Sequence, residues 1–251
     1  MDMKTQYVLI PEEERAVQAE WHSSPPIVAH MKYTHIPAGV RAIEAAFEHD
    51  PLKCYINDTP DARNSRLRNA YLRLGLVIQL SMYVHQKEVY TVDGGDAIAS
   101  YSRTGDMGPL FRFFAPIFRA LDMFSSPEQK RRRAEANSKL NAANEAIFGK
   151  GPYDMVLLME LATTPEKQGR GYGTALVAAV TDIADAIGKR TWLQSSNIAN
   201  TMFYERCGFV TVGGYKLGDT NPTWTKPPVI VRIMMREPRT RRSDGMQGSR
   251  A

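Results

Sequence analysis

The stretch that most restricts this chain is TTPEKQGRGYGTALVAAV, residues 163–180, which sets three glycines (Gly169, Gly171, Gly173) directly ahead of an apolar, alanine-rich segment. In front of it stands YDMVLLMELAT, a continuous apolar run of strand length, the pattern of a strand covered on both faces. Behind it Leu176, Val180, Ile183, Ala184 and Ile187 fall on one side of a helix, and Gly188 supplies the usual left-handed stop. Strand, glycine loop and helix in that order converge free backbone N–H groups and the positive end of a helix dipole on one point. Such a point receives an anion.

The spacing narrows which anion. A dinucleotide fingerprint needs GxGxxG, and Gly169-Arg170-Gly171-Tyr172-Gly173-Thr174 lacks the third glycine at the right step. A triphosphate loop needs a lysine after its last glycine, and none follows Gly173. The loop also lies two thirds of the way along the chain, whereas a dinucleotide fingerprint opens its domain.

The rest of the chain reads as alternating elements. IVAHMKYTHI has the residue types of a strand, and PAGVRAIEAAFEHDP follows as an amphipathic helix stopped at Asp50-Pro51. Residues 64–85 repeat apolar side chains at helical steps, from Leu67 to Ile78. Two strand-like runs then flank Asp93-Gly94-Gly95-Asp96, residues that accept the positive φ of a tight hairpin. Residues 109–150 predict two helices, an aromatic-rich one and a polar one capped by Ser126 with Pro127 in its first turn. The aromatics of the first, Phe111, Phe113, Phe114, Phe118 and Phe124, are expected in the core or in a pocket wall. Short strands RTWLQSS and FVTVGGYKLG bracket a helix in NIANTMFYERCGF, and PPVIVRIMMREP is the last strand. Residues 1–27 read as an N-terminal extension and 237–251 as a disordered basic tail.

Charge and cysteine content exclude several classes. Lys and Arg total 32 against 27 Asp and Glu, but the excess sits near residue 131 and in the tail, not on a continuous basic face, so no nucleic-acid partner is expected. The two cysteines, Cys54 and Cys207, are far apart without metal-ligand spacing, which predicts neither zinc nor a disulfide scaffold and fits a reducing compartment. No run reaches the ~20 apolar residues of a membrane span, so a cytoplasmic or nuclear protein without a membrane partner is expected.

The loop Gln168-Gly169-Arg170-Gly171-Tyr172-Gly173 fits Q/R-x-x-G-x-G/A, and NIANTMFYERCGF fits N-x-x-A-x-x-F-Y-x-x-x-G-F at the expected distance downstream. Together they resemble the two signatures of the GNAT superfamily of acetyl-CoA-dependent N-acetyltransferases. The element order matches that family over residues 28–236, and the insertion at 109–150 and the strand Leu193-Gln194-Ser195-Ser196 look most like puromycin-type small-molecule acetyltransferases. The resemblance implies an α/β (α+β) GNAT fold, a mixed sheet of about six to seven strands flanked by helices.

It also implies a set of roles. Acetyl-CoA is the co-substrate, and no metal is required. Backbone N–H groups of Gln168, Gly169, Arg170, Gly171, Tyr172, Gly173 and Thr174 cradle its pyrophosphate, with the Arg170 side chain either adding charge or simply solvated. Main-chain donors near Leu161, Ala162 and Thr163 polarise the thioester carbonyl. Tyr204 protonates the leaving thiolate, or packs beside Phe203 and Phe209 as a core tyrosine. Asn197 contacts the cofactor or caps the short helix, and Asn200 stands where the family often has alanine, as a cofactor contact or a surface residue. Glu160, the carboxylate inside the apolar run, is either the general base or half of an ion pair.

The expected reaction is acetylation of a small-molecule primary amine in a ternary complex. The alternatives are a protein lysine or N-terminus as acceptor, and a non-catalytic acyl-CoA-binding module. The last strand and the aromatic helices are each candidate faces for a homodimer.

Overall fold

The computed structural model describes residues 25–62, 66–104, 108–149 and 152–239. The extension up to residue 24 and the tail from residue 240 lie outside the described residues.

Seven strands form one sheet: β1 (Ala29–His30), β2 (Val89–Val92), β3 (Ala97–Ser102), β4 (Val156–Thr163), β5 (Thr191–Ser195), β6 (Val210–Leu217) and β7 (Val229–Arg236). Their spatial order is β1-β2-β3-β4-β5-β7-β6. Every pairing is antiparallel except β4 with β5. Among the described residues seven α-helices flank the sheet: α1 (Ile36–Ala46), α2 (Pro51–Asn57), α3 (Arg66–Gln86), α4 (Gly108–Asp122), α5 (Pro127–Phe148), α6 (Tyr172–Ala186) and α7 (Thr201–Arg206).

One face of the sheet is covered by α6, whose Leu176, Val177, Val180 and Ala184 are buried against Ala99, Tyr101, Val156, Leu158 and Leu193. Burying each Val or Leu there contributes about 1.5–3 kcal/mol. On the other face α1 and α3 pack on β2–β4 through Val40, Ile43, Leu80 and Tyr83. The helix α5 covers the β5–β7–β6 end through Leu140, Ala143 and Ile147. None of the described helices is long and apolar enough to cross a membrane.

The expected cap of α5 is present: Ser126 Oγ accepts the Gln129 N–H at 3.2 Å, and Gln129 Oε1 returns an acceptor to the Ser126 N–H at 3.0 Å. Two expectations need correction. The strand expected over 27–36 forms only at Ala29–His30, because Pro37 fits the first turn of α1 and draws the chain into a helical turn from Tyr33 onward. Asp50-Pro51 stops one helix and also starts another, since the Asp50 carboxylate accepts the Lys53 N–H at 2.9 Å and caps α2. The last strand, β7, lies between β5 and β6, so both of its edges are paired within the sheet.

The aromatic helix departs further from expectation. On α4, Phe113 is 76% exposed, and none of the described α4 side chains borders either cavity described below. Phe124, just past its end, stacks on Tyr71 at 3.9 Å between ring centroids. The side chain of Phe111 lies outside those described.

Candidate active site

The parallel pair β4–β5 holds together only over Val156–Leu158 and Thr191–Leu193. Beyond Leu158 the two strands part, while β4 continues on β3 as far as Thr163 and β5 continues on β7 as far as Ser195. The backbone of β4 from Met159 onward therefore has no strand partner on its β5 side among the described residues. A cleft of about 560 Å³ opens at this divergence, between the glycine loop, the ends of β4 and β5, the start of α7 and the α1–α2 corner.

A β-bulge decides which β4 side chains face the cleft. Ser100 pairs with Glu160 but Tyr101 pairs with Leu158, so Met159 is an extra residue. Side chains on the two sides of a bulge no longer alternate, and Met159 and Glu160 both turn toward α3. Leu161 and Thr163 consequently line the cleft, while Ala162 packs with α1 and α3.

Glu160 sits across the sheet from α6, accepting from Gln79 Nε2 and Ser100 Oγ, each at 3.3 Å. It does not border the cleft. Burial raises its carboxyl above the ordinary range, and the bonds from Ser100 and Gln79 offset part of that rise. Its hydrogen-bond donors are neutral groups, and the Lys53 charge acts on it in the same direction as they do.

The glycine loop has the geometry that its sequence suggests. Gly169 and Gly171 have φ of 78° and 77°, a region that glycine enters without strain, and an added Cβ on either would meet nothing within 4 Å. Gly171 caps α6, and the Ala175 N–H, which bonds Gly171 O at 3.0 Å, is the first in the helix to find an acceptor behind it. The N–H groups of Tyr172, Gly173 and Thr174 point out of the helix end, and no acidic residue stands in that first turn. At Gly173 a Cβ would come within 3.3 Å of the Phe203 ring, so this glycine lets α6 approach α7.

The β2–β3 hairpin braces the loop. Tyr172 donates its hydroxyl to Asp93, Lys167 lies 3.4 Å from Asp96, and the Thr164 N–H bonds Asp96 O at 2.9 Å. Arg170 turns back to donate to Glu166 O at 3.0 Å and does not line the cleft. Gln168 Nε2 reaches Thr163 O at 3.3 Å, tying loop to strand.

On the far wall, Asn197 both lines the cleft and caps the turn after β5, its Oδ1 accepting the Ala199 N–H at 3.0 Å. Asn200 is exposed and lies in the wall as well. Tyr204 is half-buried at the floor, edge-on to Phe203 and Phe209. Burial pushes its phenol well above the ordinary range, and Cys207 and Asp50 push it further. Its hydroxyl stays protonated at neutral pH and so has a proton to donate.

Phe47, His49 and Asp50 complete the wall, and sequence reasoning missed them. They lie more than 110 residues before the loop, and the only local signal at Asp50 is its role as a helix cap. Lys167 and Phe203 also border the cleft.

A family model for the acetyltransferase (GNAT) domain matches residues 135–211, from within α5 through the loop and α7 to the start of β6. Residues 135–211 thus carry a GNAT acetyltransferase domain, and the chain is an acyltransferase. The GNAT fold also relates it to solved structures over most of its length. Arylalkylamine N-acetyltransferase 2 from Aedes aegypti is 14% identical with a TM-score of 0.58, over 85% of this chain and 99% of that one. A Drosophila melanogaster polyamine N-acetyltransferase, described as forming N-acetylagmatine, is 11% identical with a TM-score of 0.57, over 85% and 100%. A Corynebacterium glutamicum protein described as histone acetyltransferase HPA2 and related acetyltransferase is 18% identical with a TM-score of 0.50, over 86% and 98%. At these identities the likeness is one of fold.

Proposed function

We propose that this GNAT enzyme transfers the acetyl group of acetyl-CoA to the primary amine of a small molecule, directly within a ternary complex, a reaction suited to detoxifying an amine. The observation that carries the reading is the cleft itself, where an anion-receiving helix end, an unpaired strand edge and a buried phenol meet in one space. The enzymes named above for arylalkylamines and polyamines share the fold and support a small amine as acceptor.

Each part has a chemical task. The N–H groups of Gly169 to Thr174, with Lys167 nearby, suit the pyrophosphate. The amides of Leu161 and Thr163, which alternate with that of Ala162 and point away from β3, suit a carbonyl oxygen that gathers negative charge as the amine nitrogen bonds the acetyl carbon. As the carbon–sulfur bond breaks, Tyr204 gives its proton to the thiolate and is reprotonated from solvent. The amine's surplus proton leaves through water, and Glu160 is its destination by relay, since its carboxylate faces α3 and not the cleft.

The test is release of free CoA from acetyl-CoA across a panel of amines, with CoA affinity measured separately by calorimetry. Replacing Tyr204 by phenylalanine should leave CoA affinity within about twofold and lower kcat about a hundredfold, the range of a lost general acid. Release no faster than without enzyme for every amine would overturn the transferase reading. Full kcat in Y204F would remove Tyr204 as the donor.

A further inference from the structure

A second cavity of about 420 Å³ adjoins the cleft and shares His49 and Asn197 with it. Its walls are mainly apolar, formed by Pro51, Ile198, Trp224, Pro227, Val229 and Ile230. The threshold between the two spaces is polar: Ser196, which lines the second cavity, donates its hydroxyl to Asp50, which lines the cleft. Asp50 thus stands where the two spaces meet, and its charge also reaches Tyr204.

The wall that carries Trp224 is held from inside. Arg132 of α5 has no exposed surface, and its guanidinium donates to Tyr55 O at 2.7 Å and to Thr223 O at 3.0 Å. It lies 4.9 Å from the Tyr55 ring centroid and 5.3 Å from that of Trp224, while the Trp224 Nε1–H bonds Pro227 O at 2.9 Å. A buried, multiply bonded guanidinium fixes the segment it grips, so Trp224 is a preformed wall. Lys226 adds one positive charge to the lining, 5.3 Å from the Trp224 ring and 4.0 Å from the exposed Asp58 carboxylate.

We propose that this second cavity is the acceptor site: it takes the apolar or aromatic body of an amine bearing a single positive charge, whose ammonium rests on Asp50 at the shared wall. This inference rests on the transferase reading above. An amine so placed lies beside the cleft floor where Tyr204 stands. The apolar walls bind its body by excluding water, and Lys226 disfavours an acceptor with a second cation at its far end.

Cys54 lines the cavity and gives a readout independent of turnover. In the full chain saturated with CoA, 2-phenylethylamine should slow alkylation of Cys54 by iodoacetamide, followed by peptide mass mapping with Cys207 as internal reference. Putrescine should protect less. With acetyl-CoA, kcat/KM should favour 2-phenylethylamine, and K226E should shift the ratio toward putrescine by roughly threefold to tenfold, the scale of reversing an exposed charge. D50N keeps one oxygen to cap α2, presents its amide NH2 to the Ser196 hydroxyl, which can accept from it, and loses the charge. It should raise KM for 2-phenylethylamine about tenfold or more with CoA affinity unchanged.

Acetylation of amines with Cys54 alkylated at an unchanged rate, and with the ratio unmoved in K226E, would overturn the proposal. Protection of Cys54 by an amine that is never acetylated would sink the transferase reading while upholding the cavity as an amine site.

Discussion

Alanine at Gly171, compared with alanine at Gly188, separates what the backbone needs from what the ligand needs. The two glycines stand at opposite ends of α6, with φ of 77° and 65°, and an added Cβ meets nothing within 4 Å at either. Both substitutions therefore impose the same cost, an L-residue forced into the left-handed region, about 1–2 kcal/mol. For a chain of this size that lowers Tm by about 2–8 °C. The ligand term differs. The Gly171 methyl stands among the N–H groups offered to the pyrophosphate, and losing one charge-assisted hydrogen bond costs about 1.5–3 kcal/mol. CoA affinity measured by calorimetry should thus fall roughly tenfold to a hundredfold in G171A. In G188A it should stay within about twofold of the parent, although both variants melt earlier. Equal CoA affinity in G171A and G188A would refute the assignment of the α6 N-terminus as the phosphate grip.

Two further predictions concern pH. Burial raises the Glu160 carboxyl, so the folded chain holds that proton more tightly than the unfolded chain does. The stability this contributes is complete below the ordinary glutamate value of about 4.3 and is lost as pH rises through the folded-state value. E160Q should therefore gain Tm relative to the parent between pH 4 and pH 8, and the acid limb of kcat/KM should disappear if Glu160 accepts the amine proton. The opposite sign holds at Asp185, whose two carboxylate oxygens accept from Arg236 at 2.7 and 2.8 Å and whose pKa that pairing lowers. D185N should cost about 2 kcal/mol at pH 7. The gap in Tm should narrow as pH falls below about 4, where the unfolded chain takes up the proton, and close once pH passes the lowered folded-state value; a gap constant from pH 7 to pH 3 would show that the ion pair is not its source.

The sequence by itself determined the parts of this protein that depend on neighbouring residues. Positive φ at Gly169 and Gly171, the caps at Ser126 and Asn197, and the switch from an apolar strand to a helix are local backbone and side-chain effects. They are legible because each acts over a few residues. So is the pair of signatures running from Gln168 to Gly173 and from Asn197 to Phe209, which together resemble those of the GNAT family and lie within the residues that its domain model matches.

Only the tertiary structure decided the rest. Whether Glu160 faces the cleft depends on one extra residue, Met159, in the pairing of β4 with β3, and a register shift is a property of two strands that neither records alone. The aromatic run of α4 carries enough apolar surface for a core, yet Phe113 faces solvent with its ring edge-on to Phe114. Asp50 reads as a helix cap until Ser196, 146 positions later, meets its carboxylate. Local chemistry wrote the cofactor grip into consecutive residues, whereas the acceptor side is assembled from distant segments whose meeting is settled only when the sheet and its helices pack.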